Sequence, residues 1–159
     1  MQNVADYLEV MQLIARYARA LDTHDAEAEA NCFIRDGVHV ARTKDGAQVV
    51  AAVQGREALK AAAQKRAASA KPDARGRHNI INPLIELDGD RGVVQAYYLG
   101  TTNRESGVTV NTTGEYRITL RKEDGKWKFA ERASILDFAP KAHLAELAQA
   151  GTGAATTPR

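Results

Sequence analysis

The chain has 159 residues, 44% hydrophobic and 26% charged, which is the composition of one ordinary globular domain able to bury a core. A formal net charge of +2, with Lys, Arg, Asp and Glu interspersed, argues against a basic stripe and so against nucleic acid as a partner. No apolar run approaches the roughly 20 residues of a membrane span, and the start "MQNVADYLEV" lacks the basic flank and apolar centre of a signal peptide, so a cytoplasmic location is expected.

In chain order, Leu8, Met11, Ile14, Ala15, Ala18 and Leu21 recur at three- and four-residue intervals, which predicts a helix from Val4 to about Ala30 with these residues as its buried stripe. The helix is expected to break near "DTHD", where Asp22, Thr23 and Asp25 can each cap a second short helix. Cys32, the only cysteine, excludes an internal disulfide and a cysteine-based zinc site, and reads as a small core residue. A short strand, Val38 to Arg42, follows the "RDG" turn, and "KDG" reads as a hairpin turn before "AQVVAAV". "GREALKAAAQKRAASA" is a third helix, closed by Lys71-Pro72. Four β-rich segments follow: "HNIINPLIEL", "GVVQAYYLGTTN", "VTVNTTGEYRITLRK" and "KWKFAERASIL". They are joined in part by the turns "DGD" and "EDG", and meander order predicts a curved antiparallel sheet. Helices first and sheet later is the α+β arrangement, with the helices on one face of the sheet. One domain over 1–140 is expected, with a C-terminal helix and flexible tail over 141–159.

Candidate chemistry centres on His78, which opens a strand. Alternation puts His78, Ile80 and Asn82 on one face, before Pro83 disturbs the pattern. If the first helix covers that face, Asp22 and Tyr17 can meet His78. The two are five residues apart, about 140° of helix rotation, so both line one pocket only if the helix ends or bends near Leu21. A carboxylate accepting from one imidazole nitrogen fixes the tautomer and makes the other nitrogen a general base, while Tyr17 can hold a substrate oxygen. The plainer reading makes His78 structural and Asp22 a helix cap.

The stretches "LIARYARALDTHDAEAEANCFIRDGV", "GREALKAA", "RHNIINPLIELDGDRGVVQAYYL" and "GEYRITLRKEDGKWKFAERASIL" resemble the SnoaL-like branch of the nuclear transport factor 2-like superfamily. That branch holds scytalone dehydratase, bile acid 7α-dehydratase and hexachlorocyclohexane dehydrochlorinase. The resemblance implies a cone-shaped α+β fold, a curved antiparallel or mixed sheet wrapped around N-terminal helices. It also implies a catalytic Asp-His dyad at Asp22 and His78, with Tyr17 matching a tyrosine of the bile acid dehydratases. No counterpart of the second catalytic histidine of scytalone dehydratase is apparent, and Ala41 stands near the position of an expected pocket tyrosine.

Trp127, Phe129 and Glu131 alternate on one strand, so if the aromatics point inward Glu131 is expected to do so too, similar in position to a pocket arginine of the dehydrochlorinase. Phe129, Tyr98 and Tyr116 are candidate substrate contacts together with Asn82 and Glu131, the rings having core packing as the simpler reading. Leu13, Ile80, Val94 and Phe129 are expected to form an apolar lining. The facing of His39 is undecided, His24 reads as exposed, and His143 lies in the tail, so no metal site is indicated. "GDRG" and "GREA" are turn and helix-start signals, and no cofactor is expected. The reading is therefore a cofactor-independent lyase or isomerase acting on a small hydrophobic, cyclic molecule. The alternative is a non-catalytic binding module or a structural small subunit of the same fold. A homo-oligomer, trimer or dimer, is expected, with an interface on the outer sheet face through polar residues such as Gln95, Thr109, Arg117 and Thr119.

Overall fold

The structure, a computed structural model, describes residues 3–42 and 49–137. Helix α1, Val4–Thr23, begins where the Asn3 side chain accepts from the Ala5 amide at 3.0 Å. It runs unbroken past Leu21 and ends at His24, whose left-handed backbone (φ 57°) lets its amide close on the Ala20 and Leu21 carbonyls. The cap of the next helix, α2 (Ala26–Asn31), is Asp25, which accepts from the Ala28 amide at 2.9 Å. The "DTHD" junction is thus a real break, and Asp22 is left free of capping duty.

The buried stripe of α1 differs from expectation. It comprises Val10, Leu13, Ile14, Tyr17, Ala20 and Leu21, whereas Leu8 and Met11 are exposed. Apolar residues occupy two overlapping helical rows in this sequence, and the row holding the larger core group, Tyr17, wins the buried side.

Strands β1 (Phe33–Arg42) and β2 (Val49–Gln54) precede α3 (Arg56–Ala68). Then come β3 (Arg75–Asp88), β4 (Arg91–Arg104), β5 (Gly107–Glu123) and β6 (Lys126–Leu136). They form one six-stranded curved sheet in the order β2-β1-β6-β5-β4-β3, with the expected meander from β3 to β6 and only the β1–β6 pair parallel. The fold is therefore α+β with a mixed sheet. β1 starts at Phe33, five residues before the expected strand. Phe33 pairs with Phe129 and Val38 with Glu131, so "RDG" is an irregularity inside a strand instead of a turn before it. The "EDG" joint is the expected tight turn, with Asp124 and Gly125 both at positive φ. The "KDG" turn and the tail expected over 141–159 lie outside the described residues.

The helix α1 covers the inner face of the sheet, and its first turn is pinned to the β5–β6 hairpin. The buried Trp127 indole donates to Asp6 at 2.9 Å, the Trp127 amide donates to Glu9 at 3.2 Å, and Lys122 pairs with Asp6 at 3.0 Å. Between α2 and α3, Arg66 pairs with the buried Glu29, and Lys60 with Glu27. On the outer face Gln95, Arg117 and Thr119 are exposed as expected, whereas Thr109, beyond a β5 bulge at Asn111, pairs with Thr102 and is turned to the other face. Ile81, Leu84, Val93, Tyr97, Val108 and Val110 are also exposed on the outer face. That face is more apolar than the sequence suggests.

Candidate active site

At the last turn of α1 the Asp22 carboxylate meets the start of β3. One oxygen, Oδ1, accepts from the His78 backbone amide at 2.8 Å and lies 2.9 Å from His78 Nδ1. A carboxylate only accepts, so Nδ1 carries the proton and Nε2 is left with its lone pair. Burial pushes the His78 pKa below the ordinary value of 6.5; the Asp22 hydrogen bond and charge oppose this, and the Arg132 and Arg66 charges add to the lowering. The imidazole is therefore neutral near pH 7, the form a general base needs. About a third of its side chain remains exposed, which leaves it reachable.

Behind the dyad lies a second polar cluster that reading by alternation misses. In β6 Phe129 pairs with Leu120 and Glu131 with the adjacent Thr119, so Ala130 is an extra residue between them. This β-bulge reverses the facing of the strand. Trp127 and Phe129 point inward as expected, but beyond the bulge Arg132 and Ser134 are buried, and Glu131, paired with the exposed Thr119, is turned away. The inward placement expected of Glu131 is thus corrected by one residue, and the charge changes sign. Arg132 is only 3% exposed. Its Nη1 donates to Ser134 at 2.9 Å and its Nη2 to Nε2 of His39 at 2.6 Å. The guanidinium also lies 4.9 Å from the Tyr17 ring centre and 4.4 Å from that of Tyr116. Burial, then the Arg132 and Arg66 charges, hold His39 well below the ordinary histidine pKa, so it is a neutral acceptor. The parallel β1–β6 register sets His39 beside Arg132. This pairing is non-local, and nothing in the spacing of the sequence signals it.

Tyr17 is buried at 1% exposure although α1 does not bend, because it lies on the buried stripe while Asp22 reaches His78 from the flank of the helix. Its hydroxyl has no hydrogen-bond partner, and burial raises its pKa, so it stays a neutral phenol. Phe129 is fully buried, edge-to-face with Tyr17 at 5.3 Å and with Phe33 at 5.4 Å, and so acts as core. Leu13 and Val94 are buried in the same core, with the half-buried Ile80 packed against it. Tyr98 and Tyr116 stack at 4.2 Å on the inner face, and the Tyr98 hydroxyl sits 3.4 Å from that of Thr112. Burial pushes the Tyr98 phenol up to about 12.

The structure does not bring Asn82 to this group. It is exposed and at positive φ (53°), in a bulge between Ile81 and Leu84 that breaks the alternation one residue before Pro83. A surface groove lined by Glu86, Arg91, Thr119 and Arg121 among others shares no residue with the cluster. Among the described residues no three His, Cys, Asp or Glu side chains converge as metal ligands, and no described helix is long and apolar enough to cross a membrane.

A helix-covered, curved and unclosed mixed sheet with this element order defines an α+β protein of the nuclear transport factor 2-like, cystatin-like type. The chain belongs to the SnoaL-like domain family, whose model matches residues 2–133. Among solved structures it is similar to a function-unknown protein of Mycobacterium tuberculosis (27% identity, 93% of this chain and 89% of that one, TM-score 0.78). It is also similar to a Catenulispora acidiphila protein in complex with S-DNPA (29% identity, 85% and 96%, TM-score 0.69). An NTF2-like protein with a cystatin-like fold from Novosphingobium aromaticivorans shares the fold (23% identity, 91% and 90%, TM-score 0.71). A search of curated proteins finds no match.

Proposed function

We propose that the chain is a cofactor-independent lyase of the dehydratase type, or an isomerase, acting on a small hydrophobic cyclic substrate with His78 as general base and Asp22 as the group that orients it. The observation that carries this reading is the double hold of Asp22 Oδ1, which fixes ring and backbone of His78 together and leaves Nε2 unprotonated. In a dehydration, Nε2 takes a proton from carbon, the C–H pair becomes the new C=C bond, and the C–O bond breaks. The imidazolium returns its proton to the departing hydroxyl, which leaves as water, and the base is restored. The unpartnered Tyr17 hydroxyl is suited to donate to a substrate oxygen. A protein that is 29% identical is known in complex with S-DNPA, which favours a ligand-taking site here.

The test is an NMR titration of His78 in the wild type and in Asp22→Asn, paired with turnover of hydroxylated ring ketones. Loss of the carboxylate should lower the His78 pKa further, since its hydrogen bond and charge raise it. Turnover should drop by about 10²–10⁴-fold. Identical titration with undiminished turnover would reduce Asp22 to a structural tether and remove the dyad. We further propose that the protein is a cytoplasmic homo-oligomer, a dimer or trimer.

A further inference from the structure

We propose that the ligand of this site carries a negatively charged oxygen, a carboxylate or a phenolate, which seats on Arg132 beside the Tyr17 hydroxyl. The inference rests on the inner face being the ligand site, and it adds the chemical class of what enters.

Arginine stays charged at any working pH, and a buried charge is tolerated only when compensated. Among the described residues no carboxylate lies within ion-pair distance of Arg132; the buried Glu29 is engaged by Arg66 instead. Every group touching the guanidinium is neutral: the Ser134 hydroxyl, the uncharged His39 ring, the face of Tyr17, and Tyr116 through both its ring and a side-chain hydrogen bond. Two buried polar atoms among the described residues lack any partner, and they are Arg132 Nε and Tyr17 Oη. Arg132 Nε is a donor only, Tyr17 Oη is a neutral O–H, and both belong to side chains in contact. What the cluster lacks is therefore an acceptor, and the uncompensated charge asks for an anionic one. With Ser134, His39 and Tyr116 each engaging one N–H, the unpartnered Nε–H and one terminal N–H remain, a pair that can meet a carboxylate. His39 has a positioning role: as a neutral acceptor it holds the guanidinium without cancelling its charge.

The experiment measures binding of benzoate, 1-naphthoate and 4-nitrophenolate against benzamide, 1-naphthamide and nitrobenzene, by calorimetry and by the Arg132 Nε–H resonance. The anions should bind at least about tenfold more tightly than their neutral counterparts and shift that resonance. The preference should vanish in Arg132→Met and weaken in Tyr17→Phe, a variant that keeps the packed ring. Preference for the carboxylates alone assigns a carboxylate ligand, and for the nitrophenolate alone a phenolate. Equal binding of charged and neutral probes, no shift of the Nε–H resonance, or a preference that survives Arg132→Met overturns the proposal. Asp22→Asn should leave the preference intact while altering His78, so failure of the dyad and failure of the anion seat give different results.

Discussion

The two inward histidines are held neutral by their surroundings, which sets the response of the protein to acid. Both His39 and His78 have folded pKa values below 6.5, led in each case by burial. The unfolded chain therefore binds more protons than the folded one below about pH 6.5, and stability present above that value is lost as the pH falls through it. The urea midpoint should be higher at pH 7.5 than at 5.5, with His39 alone contributing on the order of 1 kcal/mol or more. In His39→Gln, which keeps an acceptor for Arg132 but does not titrate, most of this slope should disappear. An unchanged slope would assign the acid sensitivity elsewhere. At this scale the sequence was informative for Asp22 and His78, which the structure brings together, and misleading for Glu131 and Asn82. Both errors have one cause: alternation counts residues, and a bulge adds one without leaving a mark in composition.

Among the elements, β5 is crowded at Gly114 by both of its neighbours, β4 and β6. Gly114 pairs with Tyr98, and a methyl group there would fall 2.2 Å from the Ile135 carbonyl oxygen and 2.7 Å from the Tyr98 ring. Gly114→Ala should destabilise the fold by about 1–3 kcal/mol or more, read as a lowered thermal midpoint, with the Tyr98–Tyr116 stack disturbed in the near-UV circular dichroism. A neutral result would mean that β5 and β6 can separate at no cost. The four meander strands were legible because β-branched and aromatic runs are bounded by tight turns, and the α1–α2 break because Asp25 caps so plainly. The buried side of α1 was not legible, since two apolar rows compete and tertiary packing chooses between them. The early start of β1 was hidden for a related reason: its first pairs are with β6, nearly a hundred residues away.

For the whole molecule, the proposed self-association rests on the outer sheet face. Ile81, Leu84, Val93, Tyr97, Val108 and Val110 stand exposed there, with Leu84 at 69% and Tyr97 at 60%. An apolar face of this kind is normally covered in a soluble protein. Light scattering after gel filtration should give a dimer or trimer, and the double variant Leu84→Lys with Tyr97→Lys should run as a folded monomer. A wild type that is monomeric throughout the micromolar range would refute the oligomer.

The extra residue in β6 carries an evolutionary implication. Deleting Ala130 would restore plain alternation while leaving Glu131 outward and Arg132 inward, so the interior stays cationic with or without the bulge. Within this family, then, a one-codon deletion of the bulged residue is expected to leave the charge of the inner face unchanged, with the base at His78 untouched. Relatives whose strands differ there by a single residue are best compared by inner and outer face and not by aligned position.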